Sequence, residues 1–234
     1  FEEVFNVLTD AKLVDLSSTE NHALKELIKK APGTYHHSML VANLAEAAAK
    51  AVGANALLVR VAAYYHDIGK IARPIYFKEN QHGENIHDTM NPVESARIIT
   101  GHTVEGFRMA QKEKLPKEIK EIILQHHGTT YAKYFYDKAI DLGYEINEDD
   151  FKYKGPKPQS KEAAIIMLAD VMEAVMRVGY DEDNSRNVIK KVIDGKIRDG
   201  QLDECDLSFK DIGKIIDAFN ESFKGIYHKR IAYK

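Results

Sequence analysis

Histidines and aspartates recur in this chain at positions where a core would ordinarily be apolar. In TYHHSMLVANLAEAAAKAV, His37 shares a helical face with Leu40, Val41, Leu44 and Ala48 at spacings of three and four, while His36 points about a quarter-turn away. In LLVRVAAYYHDIGK the stripe Val59, Ala62, Ala63 leads into His66, with Asp67 beside it where the helix runs into Gly69. His102 follows Gly101 in ARIITGHTVEGF, where a break in the helix would aim its ring inward. His126 and His127 end KEIKEIILQHHG at the border of a face made by Ile119, Ile122 and Ile123. Asp170 lies inside AAIIMLADVMEAVM, on the stripe of Ala163, Ile166 and Met167.

Taken singly, each has an ordinary explanation. A lone histidine on an apolar face is more often a hydrogen-bonded core residue than a ligand, and Arg177 or another cation would neutralise Asp170. Taken together they predict a metal centre. An unpaired buried carboxylate costs several kcal/mol, and an ion shared with imidazoles removes that cost. The set comprises His37, His66, Asp67, His102, His126, His127 and Asp170, with no thiolate. Mixed nitrogen and oxygen ligation suits Mn, Fe, Co or Ni as well as Zn. Seven side chains exceed what one tetrahedral ion uses, so the economical arrangement is two ions bridged by a carboxylate, with Asp67 the candidate bridge. Lys70, four residues after His66, is placed to reach a phosphate oxygen as a point charge; its alternative is a solvated lysine past a helix end.

The elements that must position these residues read as helices. The chain has 234 residues, 44% hydrophobic and 29% charged, enough to bury a full core. Apolar spacing is helical almost throughout, which predicts an all-α fold. A helix near 20–30 ends at Ala31-Pro32-Gly33, and Thr34 is expected to cap a long one running to Gly53. Asn55 opens the next, ending near residues 66–69. Asn91-Pro92 starts another, which Gly101 would interrupt, and Leu115-Pro116 starts one reaching Gly128. Further helices fit 129–142, 160–178, 184–198 and 208–230. Residues 70–90 form a polar loop expected to overhang the site, offering His82, Glu84, Asn85, His87 and Asp88 as contacts. Tyr131, Tyr134, Phe135 and Tyr136 are candidates for stacking on a base, against a core or interface role. Residues 143–160 read as a loop within one domain. His22, His228 and Cys205 are given no part in the chemistry, nor is the acidic segment after Gly200.

Composition narrows the partners. Lys and Arg total 33 against 36 for Asp and Glu, a formal charge of -3, so no global basic field exists to hold duplex nucleic acid. One cysteine excludes an internal disulfide and suits a reducing compartment. No apolar run is long enough to span a bilayer. The chain opens at Phe1 without Met, in an amphipathic segment, FEEVFNVL, which is the expectation for a piece of something longer.

The ordered motifs YHHSM, YYHDIGK, the His102 segment, QHHGT and LAD resemble the HD-domain metal-dependent phosphohydrolases. The surrounding segments YFKENQHGEN, QHHGTTYAKYFY, GPKPQSKEAAIIMLAD and DGQLDECDLS are similar to the cytoplasmic HD domain of the seven-transmembrane-receptor HD family, from about Gly33 to the end. The resemblance implies a helical HD domain over 33–234, with residues 1–32 as a helical segment packed on it. It also implies hydrolysis of cyclic di-AMP (c-di-AMP) to linear pApA at a site holding two divalent ions, Fe or Mn. One ion would be held by His37, His66, Asp67 and Asp170. The second would be held by His102 and the His126-His127 pair, with Asp67 bridging and either adjacent histidine available as the direct ligand. A hydroxide bridging the ions would attack phosphorus in line, with Lys70 beside the substrate. The parent would be a bacterial membrane protein carrying this domain in the cytoplasm. Two alternatives stand beside this reading: an HD phosphohydrolase for another nucleotide such as c-di-GMP, and a sensor that binds a cyclic dinucleotide without hydrolysis. Against c-di-GMP, GTTYAKYFY follows His126-His127 in place of the Gly-Tyr-Pro that names that class.

Overall fold

The computed structural model describes residues 8–227. Among them the chain is all-α, as expected, with only an isolated antiparallel bridge between Tyr131 and Lys152. Its helices in chain order are α1 (Asp10–Leu16), α2 (His22–Lys30), α3 (Pro32–Val52), α4 (Ala56–Tyr65), α5 (Pro92–Lys112), α6 (Lys117–Gln125), α7 (Lys133–Asp141), α8 (Lys161–Gly179), α9 (Ser185–Arg198) and α10 (Phe209–Tyr227). Most of FEEVFNVL, and His228 with the end of the last expected helix, lie outside the described residues.

Helix α3 is central, packed against α4, α8 and α10. Its inward face is rich in small residues: Val41, Ala42, Leu44, Ala45, Ala48 and Ala49 are fully buried, letting neighbouring helices approach closely. Leu13 and Leu16 of α1 and Leu24 and Leu27 of α2 enter the same core as Val59, Ile123, Ile165 and Phe219. Each such large aliphatic side chain contributes roughly 1.5–3 kcal/mol by leaving water. Ala96, Phe135, Ala139 and Phe151 form a smaller cluster.

Two local expectations are corrected. Thr34 does not cap α3: the helix begins at Pro32, and Ala31 offers no side-chain cap. The cap comes from the 70–90 segment, where Asn80 Oδ1 accepts hydrogen bonds from the backbone N–H groups of Gly33 (3.0 Å) and Thr34 (3.2 Å). The approach is so close that a Cβ on Gly33 would lie 1.9 Å from the carbonyl oxygen of Glu79. Nor does Gly101 interrupt its helix, since α5 runs unbroken from Pro92 to Lys112. Asn91 caps it through Val93 and Glu94, and one glycine costs too little to break six turns packed against neighbours. His102 faces inward because of its register in that continuous helix.

The 70–90 segment is a string of short 3-10 turns. His87 pins it down: its ring is buried, facing the Ser95 hydroxyl at 2.9 Å and the Tyr76 carbonyl at 2.7 Å. Asn85 caps the turn that carries it. Residues 143–160 fold back with Phe151 and Tyr153 buried.

Candidate metal centre

Helix ends and one crossing bring the predicted residues together. His66 stands at the C-terminal end of α4, and Asp67 follows with φ -109° and ψ 15°, turning the chain into the 3-10 turn Ile68–Ala72. His126 holds the equivalent place at the end of α6. Carbonyls in a last helical turn lack helical partners, and the two imidazoles use them: Nδ1 of His66 donates to Ala63 O (2.7 Å), and Nδ1 of His126 donates to Ile123 O (2.8 Å). His102 Nδ1 donates to Ile99 O at 2.6 Å. In each ring the outer nitrogen is thereby occupied, leaving Nε2 as the inward donor atom. The turn carrying Asp67 sits hard against α5, so that a Cβ on Gly69 would lie 2.0 Å from the carbonyl oxygen of His102. Glycine at 69 is what allows Asp67 and His102 to meet.

All seven predicted ligands converge. Donor atoms of His37, His66, Asp67 and Asp170 lie within 4.8 Å of one another, and so do those of His102, His126 and His127. Asp67 joins the two groups with one oxygen each. Its Oδ2 lies 3.3 Å from His66 Nε2 and 3.7 Å from His37 Nε2; its Oδ1 lies 3.1 Å from His102 Nε2 and 3.7 Å from His126 Nε2. Asp170 Oδ1 lies 2.9 Å from His37 Nε2, and its Oδ2 lies 3.6 Å from His127 Nδ1. Arg177, the alternative partner for Asp170, pairs instead with Glu173 at 3.8 Å.

The donors fit divalent ions. His66 Nε2 is buried and makes no hydrogen bond, and the buried Asp67 carboxylate has the Lys70 ammonium at 2.7 Å from Oδ2 while Oδ1 faces only imidazole nitrogens, a gathering of nitrogen and oxygen donors that a shared cation would complete. The electrostatics agree. Burial disfavours the charged form of Asp67, but the His66 imidazolium and the Lys70 ammonium overcome it and hold the carboxyl well below its usual range. For Asp170, hydrogen bonds from His37 and His66 overcome the same burial effect. Burial also pushes His66 down, yet the charge of Asp67 raises it to about 10. His126 and His127 differ: burial, without a dominant carboxylate, lowers His126 to about 4 and His127 well below the usual imidazole value. Protons therefore sit between histidine and carboxylate where an ion would otherwise neutralise the charge, and His126 and His127 favour the neutral form that ligates.

A match to the HD-domain family spans residues 34–175. This chain belongs to that family. The HD domain is 48% identical to the cyclic-di-AMP phosphodiesterase PgpH of Bacillus subtilis over 236 residues, and 48% identical to PgpH of Listeria monocytogenes over 238 residues. Both alignments take in 100% of this chain but 33% of the relative, so the chain spans a third of the length of the curated relatives it matches. Crystal structures of the L. monocytogenes PgpH HD domain superimpose with a TM-score of 0.85. One, at 47% identity, covers 89% of this chain and 100% of that chain; another, in complex with cyclic-di-AMP, is 48% identical and covers 90% and 99%.

Beside the candidate metal centre lies a cleft of about 210 Å³ lined by His37, Lys70, Phe77, Glu79, Tyr153 and Arg177, among others. Lys70 is largely covered on its wall, with Nζ 2.7 Å from Asp67 and 2.8 Å from Glu79, so it is not the solvated lysine of the alternative reading. From the 70–90 segment, Phe77 and Glu79 reach the cleft; the expected contacts do not. His82, Glu84 and Asp88 are exposed, while Asn85 and His87 hold the segment itself. The expected aromatic residues are also elsewhere. Phe135 and Tyr136 pack in the smaller apolar cluster, Tyr134 is exposed, and Tyr131 pairs with Glu148. Tyr153 takes the aromatic position, its ring 4.2 Å from that of His127.

Sequence reasoning missed Glu79, Glu173, Phe77 and Tyr153. Glu173 had a signal: it follows Asp170 by three residues, a second carboxylate on the same apolar stripe. The others sit in irregular segments whose course no periodicity reveals. His22, exposed and paired with Glu113, and Cys205, half-buried and bonded to Leu202 O, stay outside the site as expected.

Proposed function

We propose that this chain is a metal-dependent phosphodiesterase domain that hydrolyses c-di-AMP to pApA. The observation that carries the proposal is the division of Asp67, one oxygen toward each histidine group, in a chain nearly half identical to the HD domain of PgpH. His37, His66, Asp67 and Asp170 would hold one ion, and His102 with His126 and His127 the other, with Asp67 placed to serve both. Two divalent ions, Fe or Mn, would supply Lewis acidity toward the phosphodiester oxygens and would lower the pKa of a water for in-line attack on phosphorus.

The remaining residues bind and orient. Lys70 presents a fixed positive charge, which burial opposes but Asp67 and Glu79 hold in place. Tyr153 stays protonated, its phenol pushed up chiefly by burial, and offers a neutral donor on the cleft wall. The cleft adjoins a hollow of about 350 Å³ that shares Phe77 and His102 and carries Arg73 and Arg97. That hollow suits the second phosphate of a cyclic dinucleotide. The domain proper starts at residue 33, and α1 and α2, from the segment before it, pack on it. It belongs to the cytoplasmic side of a larger bacterial membrane protein; among the described residues no helix is long and apolar enough to cross a membrane.

The deciding experiment incubates the purified chain with c-di-AMP or c-di-GMP, with Mn or Fe and with a chelator, and separates the products by chromatography. Metal-dependent pApA from c-di-AMP is the expected result. Binding without product would favour a sensor, and faster cleavage of c-di-GMP would favour the other substrate.

A further inference from the structure

Three of the inward-facing imidazoles, His66, His102 and His126, anchor Nδ1 on a main-chain carbonyl. His37 alone among these four does not. Its Nδ1 lies 2.6 Å from Oε2 of Glu173, a side chain of which only 3% is exposed. The second oxygen of Glu173 is buried and makes no hydrogen bond, and its nearest cation, the half-exposed Arg177, stands off at 3.8 Å. Glu173 lies one turn beyond Asp170 on α8, so the same helix face presents one carboxylate to Nε2 of His37 and one to Nδ1.

Burying a carboxylate with one oxygen unpartnered costs stability, and the geometry of Glu173 supplies a role beyond packing. An imidazole that binds an ion through one nitrogen keeps its proton on the other, and a carboxylate accepting that proton fixes the tautomer, orients the ring and makes the ligating nitrogen more basic than a carbonyl partner does.

We infer that Glu173 is a positioning residue for the ion held by His37, His66, Asp67 and Asp170, and that it has no part in holding the ion of His102, His126 and His127. Glu173 accepts the Nδ1 proton of His37 and leaves Nε2 free to ligate. The inference rests on the two-ion reading above.

Equilibrium dialysis of Mn²⁺ against the wild type, Glu173→Leu and Glu173→Gln tests it without reference to turnover. Two ions should bind per wild-type chain. In Glu173→Leu one of them should weaken by roughly 10–100-fold, the range for losing such an outer partner, while the other holds its affinity. Glu173→Gln, which keeps an acceptor but not the charge, should fall between. Melting of the metal-free proteins separates this from a structural role, because a residue needed only for packing would lower the melting temperature and leave both affinities in proportion to the folded fraction. Two ions bound with wild-type affinity in folded Glu173→Leu would overturn the inference. A wild type that binds fewer than two ions would instead overturn the two-ion reading, and the inference with it.

Discussion

Asp67 is the residue on which both halves of the centre depend. Each oxygen faces a different imidazole group, and the Lys70 ammonium stands 2.7 Å from Oδ2. Substituting it should therefore act unlike substituting a histidine from one group. Asp67→Ala should remove both ions and abolish turnover, by a factor of at least about 10³ for loss of the metals that polarise the phosphate. His126→Ala should spare the ion held by His37, His66 and Asp170, and lower activity while leaving one ion per chain. Metal analysis of the dialysed variants beside their rates checks this; Asp67→Ala that retains two ions would deny Asp67 its bridging place. Residue types made these seven positions legible in the sequence, because imidazoles and carboxylates on apolar stripes conflict with burial unless something neutralises them. Glu79 and Tyr153 carried no such conflict. A polar residue in a polar loop, and a tyrosine near prolines, gain meaning only when the chain returns to the cleft.

At the scale of elements, the helices were legible because their caps and apolar stripes agree, as at Asn55, Asn91 and Ser160, each of which caps the helix after it. The start of α3 was not, because its cap is supplied from far along the chain. Asn80 satisfies two N–H groups at that end, and its own amide donates to the Thr34 hydroxyl at 2.8 Å; that hydroxyl donates to Glu79, which also accepts from Lys70. The helix bearing His37 and the wall bearing Lys70 are thus tied through one segment. Asn80→Ala should cost about 1 kcal/mol, the usual price of a lost cap, and lower the melting temperature by roughly 2–4 °C in a chain of this size. Hydrogen exchange should quicken across the 70–90 segment more than in α8. Uniform loss of protection instead would show that Asn80 serves global stability and does not tether this segment.

For the whole molecule, the centre couples folding to both metal and pH. In the metal-free protein His66 holds its proton more tightly folded than unfolded, with the value raised from 6.5 to about 10. Its stabilising contribution is full below pH 6.5 and is lost as pH climbs toward about 10. His126 runs the other way: burial lowers it from 6.5 to about 4, so the unfolded chain takes up the proton first and stability is gained as pH rises through that interval. His127 is shifted in the same direction as His126. The depressed carboxyls of Asp67 and Asp170 contribute above their ordinary value of 3.8 and lose that contribution only in stronger acid. These opposed slopes meet near pH 6.5, where the chelated protein should melt highest, with lower melting temperatures near both pH 5 and pH 8.5. Bound ions take the place of the His66 proton, so added Mn²⁺ should raise the melting temperature most on the alkaline side. At 1,000 times its dissociation constant an ion adds about 4 kcal/mol, or on the order of 10 °C at this chain length. Differential scanning calorimetry at the three pH values, with chelator and with Mn²⁺, gives the comparison directly. If the chelated protein gained stability steadily from pH 5 to pH 8.5, the proton shared by His66 and its carboxylates would not be holding the metal-free fold together, and the ions would have no proton to displace there.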